Sequence, residues 1–159
     1  MSVTTSTTTQ VYRVYIKATP QAIWDAITRP EWTDKYGYQG FVEFDLRPGG
    51  AFRHRASEQM RATGMPEVVV DGEVVEADPP HKLVQTWRPT WLDEPPTRLT
   101  YEIREGQDGV SSLTVTHELD GAPETASQTA GAIEGAGGGW AEVLSDLKTL
   151  LETGRSMHA

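Results

Sequence analysis

Near the C-terminus, Gly135 to Gly154 reads GAGGGWAEVLSDLKTLLETG, a glycine run, a tryptophan, an amphipathic segment and a closing glycine. Trp140, Val143, Leu144, Leu147, Leu150 and Leu151 fall on one helical face, and Glu142, Asp146, Lys148 and Thr149 on the other. Gly154 suits the left-handed stop of such a helix. From Trp140 to Leu151 the helix is roughly 18 Å long at about 1.5 Å per residue, enough to cross several strands. A stripe of this kind has to be buried, so the rest of the chain must supply a matching apolar surface. The glycines do not read as a phosphate loop, because no strand directly precedes them and no Lys-Ser/Thr pair follows. They are expected to let the backbone turn and bring the helix close to a sheet.

Strands supply that surface. VYRVYIKA alternates, with Val11, Arg13 and Tyr15 on one side and Tyr12, Val14 and Ile16 on the other. TPQAIWDAIT follows as a helix, with Thr19 as N-cap, Pro20 in the first position, and Ala22, Ile23, Ala26 and Ile27 at helical spacing beside Trp24. Pro30 ends it and opens a second short piece, PEWTDKYG. Only Arg29 and Lys35 are basic there, so this pair does not read DNA. FVEFDL and AFRHRA flank an RPGG turn. They are followed by VVVDGEVVEA, in which Asp71-Gly72 is a turn or a bulge, and then by LVQTW, TRLTYEI and VSSLTVTHEL. Residues 57–67 read as polar and irregular, and RPTWLDEPP as a loop. Short turns between consecutive strands imply antiparallel pairing. Alternation puts Phe52, His54 and Ala56 on the covered face, with Leu83, Gln85 and Trp87, then Leu99, Tyr101 and Ile103, then Leu113, Val115 and His117.

Composition narrows the setting. A chain of 159 residues is about one domain. Its net charge of −9 is spread along the sequence, which excludes nucleic acid or an anionic membrane surface as the main partner, since both need clustered Lys and Arg. There is no cysteine, hence no disulfide framework and no thiolate chemistry. No apolar run reaches the roughly 20 residues of a membrane span, and MSVTTSTTTQ lacks the blocks of a signal peptide. The expectation is a soluble, cytoplasmic protein with a disordered tail at 1–10, one domain at 11–154 and a short tail at 155–159. Sheet edges and the loop at Trp91 leave a homodimer open.

The words ATPQAIWDAITRPEWTDKY, DLRPGGAFR, DGEVVEADPPHKLVQTWR, RLTYEI, SLTVTHEL and GWAEVLSDLKTLLETG occur in that order. Together they resemble the START/Bet v 1-like (SRPBCC) superfamily, and within it the family named for the C-terminal domain of the activator of Hsp90 ATPase. The resemblance covers about Val11 to Gly154. It implies an α+β helix-grip fold: a curved antiparallel sheet wrapped around a long C-terminal helix, with two short helices after the first strand. It also implies a cavity between sheet and helix that often holds a small apolar or aromatic molecule. Its members include lipid carriers, hormone receptors, and polyketide cyclases and aromatases. The co-chaperone namesake also has an N-terminal domain with a tryptophan-rich motif, and nothing here is similar to it.

Candidate site residues follow from the inward faces. His54 and His117 are set to face the cavity as hydrogen-bonding groups or proton handlers. Gln85 and Tyr101 are polar heads among apolar neighbours, the usual make-up of a small-molecule site. Phe52, Trp87 and Leu144 supply apolar wall, and Tyr36, Tyr38, Trp91 and Trp140 an aromatic mouth suited to flat ligands. His54, His81, His117 and His158 show no metal-ligand spacing, RASEQ and ASQTA lack the glycine-flanked elbow of a serine nucleophile, and no cofactor is expected. The leading expectation is binding of a small hydrophobic or aromatic ligand, with the catalytic residues unassigned. The alternatives are an enzyme of the cyclase/aromatase or hydrolase kind, and an Hsp90 co-chaperone-like or other protein-binding module acting in a stress response.

Overall fold

The structure, a computed structural model, describes residues 8–133 and 137–158. Seven strands form one antiparallel sheet: β1 (Thr9–Ile16), β2 (Phe41–Phe44), β3 (Ala51–Arg55), β4 (Val68–Asp78), β5 (Lys82–Pro89), β6 (Thr97–Glu105) and β7 (Ser111–Glu118). Their spatial order is β1-β7-β6-β5-β4-β3-β2, so the sheet runs as a meander except that the first strand returns to pair with the last. The helices are α1 (Pro20–Thr28), α2 (Pro30–Thr33), α3 (Glu58–Ala62), α4 (Pro123–Thr129) and α5 (Gly139–Thr153). This is the helix-grip arrangement, a curved sheet with a C-terminal helix laid across it.

Local signals account for most boundaries. The Thr19 side chain accepts from the Ala22 amide and Pro20 opens α1. Gly154, in the left-handed region at φ 81°, closes α5. Along β1 the alternation holds: Val11, Arg13 and Tyr15 face out, while Ile16 is fully buried. Asp71-Gly72 is not a turn. Nor does the register shift there: β4 passes straight through it, with Asp71 opposite Arg88 and Val74 opposite Gln85 in one unbroken register, and the Glu73 amide donates to the Thr86 hydroxyl. The register shift itself lies further on, between Val74 and Glu76.

Several expectations need adjusting. The supposed irregular stretch at 57–67 contains α3, capped by Ser57 accepting from the Met60 amide. Helix α4 was unforeseen; its first turn is satisfied from outside, by Glu94 accepting from the Glu124 and Thr125 amides and the Thr125 hydroxyl. The ordered sheet begins before Val11. Thr9 and Gln10 pair with Glu118 and His117, and the Gln10 side chain bonds Ala126 and Thr129 of α4. At the other end, Ser156 and Met157 are tied to Asp146. The remaining tail residues, 1–7 and 159, lie outside the described residues, as do 134–136 in the glycine run.

The core divides in two. One cluster joins Leu144, Leu147 and Leu150 of α5 to Ile16, Ile23, Leu83, Leu99, Ile103 and Leu113. The other, at the β2–β4 end of the sheet, is built from Val42, Phe52, Ala56, Val69 and Val70, with Met60 and Met65 packed against it. Phe44 and Trp87 touch both. A 15-residue helix is roughly 22 Å long. Its buried leucines pack only into the first cluster, and no residue of α5 belongs to the second, so the two clusters stay separate.

Candidate functional site

Between the two clusters lies a cavity of about 600 Å³. Its walls come from both of them. Leu113, Leu144 and Leu147 belong to the first, and Val42, Phe52 and Val70 to the second. α3 contributes Met60, and the loop after α2 contributes Tyr36 and Tyr38. No charged side chain lines the cavity among the described residues.

Nine of the eleven expected site residues meet there. Tyr36 and Tyr38 stand at the α2 side, and Phe52, His54, Trp87 and Tyr101 on the sheet. Trp91 comes from the loop after β5, and Trp140 and Leu144 from α5. Gln85 and His117 do not reach it. Both are fully buried in the wall behind. The register explains this: Gln85 and His117 both lie opposite Leu99, on flanking strands, so they share a layer below the one that touches the cavity.

His117 is fixed from both sides. Its Nδ1 accepts from the Trp140 indole Nε1–H at 3.1 Å. Its Nε2 lies 2.7 Å from the Thr97 hydroxyl, which itself donates to the Trp87 carbonyl at 2.9 Å. An indole only donates, and the Thr97 proton is already committed, so the imidazole is neutral with its proton on Nε2. Burial holds its pKa down at about 4. The ring stacks edge-on against Trp87 and Trp140, with centroids at 5.2 and 6.0 Å. Trp140 is thus pinned by its nitrogen and presents its hydrocarbon to the cavity.

His54 stands differently. Its Nε2 is enclosed and has no hydrogen-bond partner among the described residues. Gly40 makes room for it: a Cβ on that residue would come within 2.3 Å of this nitrogen and 2.5 Å of the Arg55 carbonyl. Burial lowers the His54 pKa to about 4, so this imidazole is also neutral at neutral pH. Tyr101 packs edge-on against Trp140 at 6.0 Å, and its hydroxyl has no protein partner among the described residues. Burial, and then the nearby Tyr36, push its ionisation far above the usual range. The Tyr36 hydroxyl donates to the Ala26 carbonyl at 2.9 Å, which fixes that ring in the wall.

Two details of α5 were not legible in its stripe. Asp146, expected on the wet face, is buried. Its carboxylate accepts from the Gly37 amide on one oxygen, and from the Ser156 hydroxyl and the Met157 amide on the other. It ties the wall loop to the helix and to the C-terminal segment. Gly139, at φ 68°, lets α5 start against α4: a Cβ there would sit 2.2 Å from the Thr129 carbonyl. The glycines bring the helix start against α4, where the sequence had suggested the sheet.

Comparison with known proteins places this geometry. A family profile described as Activator of Hsp90 ATPase homolog 1-like protein matches residues 17–152. The chain belongs to this family. No curated protein matches it in sequence. Among solved structures, this family member is similar to CalU16 from Micromonospora echinospora, with a TM-score of 0.68 at 17% identity over 93% of this chain and 78% of that one. It is also similar to an Hsp90 activator from Plasmodium falciparum (TM-score 0.56, 20% identity, 94% and 91% covered). A Mesorhizobium loti protein gives 0.66 at 19% identity, with 91% and 96% covered. At such identities the likeness is one of fold. For this family member, no helix among the described residues is long and apolar enough to cross a membrane.

Proposed function

We propose that this protein binds a small, largely apolar ligand, flat and aromatic in its best fit, in the cavity between the sheet and α5. The observation that carries this reading is the 600 Å³ space left between the two core clusters. Its lining is mainly apolar and aromatic, with uncharged polar side chains such as Gln39, Ser57, Gln59 and Thr63 among them, a make-up common in small-molecule sites. Aromatic walls at Trp87, Trp91 and Trp140 suit a planar guest. Proton-transfer chemistry has less support, since His117 is committed to Trp140 and Thr97 and the described lining offers no carboxylate or ammonium. A cytoplasmic setting fits the acidic, cysteine-free chain.

Melting temperature with and without naphthalene or 1-decanol, followed by intrinsic tryptophan fluorescence, tests the reading. A ligand at one hundred times its Kd stabilises the folded state by about 2.7 kcal/mol, so a rise in Tm is expected with naphthalene. Leu144→Trp and, from the opposite wall, Val69→Phe each fill the space and are expected to abolish the rise. A rise that persists in both variants, with each folded cooperatively, contradicts the proposal.

A further inference from the structure

The cavity wall at α3 is held in place by very little. Residues 57–66 leave β3 and rejoin β4 at one point, where the Ala56 amide donates to the Glu67 carbonyl at 2.7 Å. Among the described residues, the hydrogen bonds of this stretch all close within it. The Ser57 hydroxyl and carbonyl accept from the Met60 and Arg61 amides, the Met60 carbonyl from the Thr63 and Met65 amides, and the Arg61 carbonyl from the Gly64 amide. No residue of α3 is buried. What crosses to the sheet is two thioethers: Met60 and Met65 pack against the cluster of Val42, Phe52, Ala56, Val69 and Val70. Both also line the cavity.

A five-residue helix has no stability of its own, because nucleation costs more than so few bonds return. α3 therefore stays helical only while the two methionines hold it against the sheet. Their hold depends on a thioether being apolar, a property that oxidation removes. The chain has four methionines and no cysteine, so thioethers carry all of its sulfur. Met60 and Met65 are only half-buried, which leaves them open to a small oxidant. A sulfoxide is polar, and a cluster of Val, Phe and Ala side chains has no donor to offer its oxygen.

We infer that Met60 and Met65 are a peroxide-sensitive latch, whose oxidation releases α3 and opens the cavity wall on that side. Each sulfur attacks one oxygen of hydrogen peroxide, so that an S–O bond forms as the O–O bond breaks. The sulfur is oxidised by two electrons, and the other oxygen leaves as hydroxide, which takes up the proton of the transferred one and becomes water. A thiol-dependent sulfoxide reductase reverses the change. The latch works with or without a guest in the cavity.

Tryptic cleavage after Arg61 in the folded protein, with peptide mapping of each sulfoxide, tests it. After peroxide treatment Met60 and Met65 are expected to carry sulfoxides, and cleavage at Arg61 to run about tenfold faster, since cleavage follows the population of the opened segment. Cleavage at Arg88 in β5 and Arg98 in β6 is expected to stay slow. Met60→Leu with Met65→Leu keeps the apolar contact without the sulfur, and its cleavage is expected not to respond to peroxide. Met60→Gln with Met65→Gln puts polar chains there and is expected to be cleaved fast with no peroxide at all. Sulfoxides at both positions with unchanged cleavage at Arg61 overturn the inference. So does a peroxide response that survives in the double leucine variant, or one shared equally by Arg88 and Arg98, which is global loosening. Met60 and Met65 still reduced once the exposed Met157 is oxidised overturn it as well.

Discussion

At the scale of single residues, the two inward histidines share a cause and differ in role. Burial lowers both to about 4. His117 meets that condition with two hydrogen bonds and serves as a clamp on Trp140, whereas His54 meets it with none. The unfolded chain binds protons at an ordinary histidine pKa near 6.5, so between about 6.5 and 4 the unfolded state holds more protons than the folded one. Stability is therefore expected to be level above pH 6.5 and to fall as the pH drops toward 4, by on the order of 2–3 kcal/mol for each histidine. Urea unfolding across that range measures it. His117→Leu is expected to remove about half of the slope and to lower stability at pH 7 by about 2 kcal/mol, because the Trp140 N–H loses its acceptor. A slope unchanged in His117→Leu contradicts the assignment. Sequence alternation placed both rings on the inner face correctly. It could not say which would touch the cavity, because that depends on depth along the strand and on what lies opposite.

At the scale of elements, the junction of α4 and α5 sets where the lid sits. Gly139 occupies a left-handed conformation within contact of the Thr129 carbonyl, and α4 is held in turn by Glu94 and Gln10. Gly139→Ala is expected to cost at least about 2 kcal/mol, through the positive φ and the backbone clash together. Hydrogen exchange should show the loss first at α4 and the first turn of α5, with the β5–β7 amides still protected. Uniform loss across the sheet contradicts this local account. The amphipathic stripe of α5 and the Thr19-Pro20 start of α1 were readable because period and cap chemistry are local. α4 was not, since its cap is a glutamate some thirty residues away, and the polar pattern PETASQT carries no apolar stripe. Asp146 was misplaced for the same reason: its donors come from the loop at Gly37 and from the C-terminal segment.

At the scale of the whole molecule, a 15-residue helix rests on a seven-stranded curved sheet and packs its buried leucines into only one of the two core clusters. The fold was legible because its strand order, turns and terminal stripe are all written in the sequence. The cavity was expected through the family resemblance and nine of its lining residues through strand alternation and the helical stripe, but its extent was not legible, because a void is a mismatch between elements that no single segment encodes. The most direct test of that mismatch is a crystal of the protein pressurised with xenon, which enters apolar cavities. Xenon density bounded by Phe52, Trp87 and Leu144 is the expected result. A well-diffracting crystal with no xenon there, its interior closed by repacked side chains, would contradict the account.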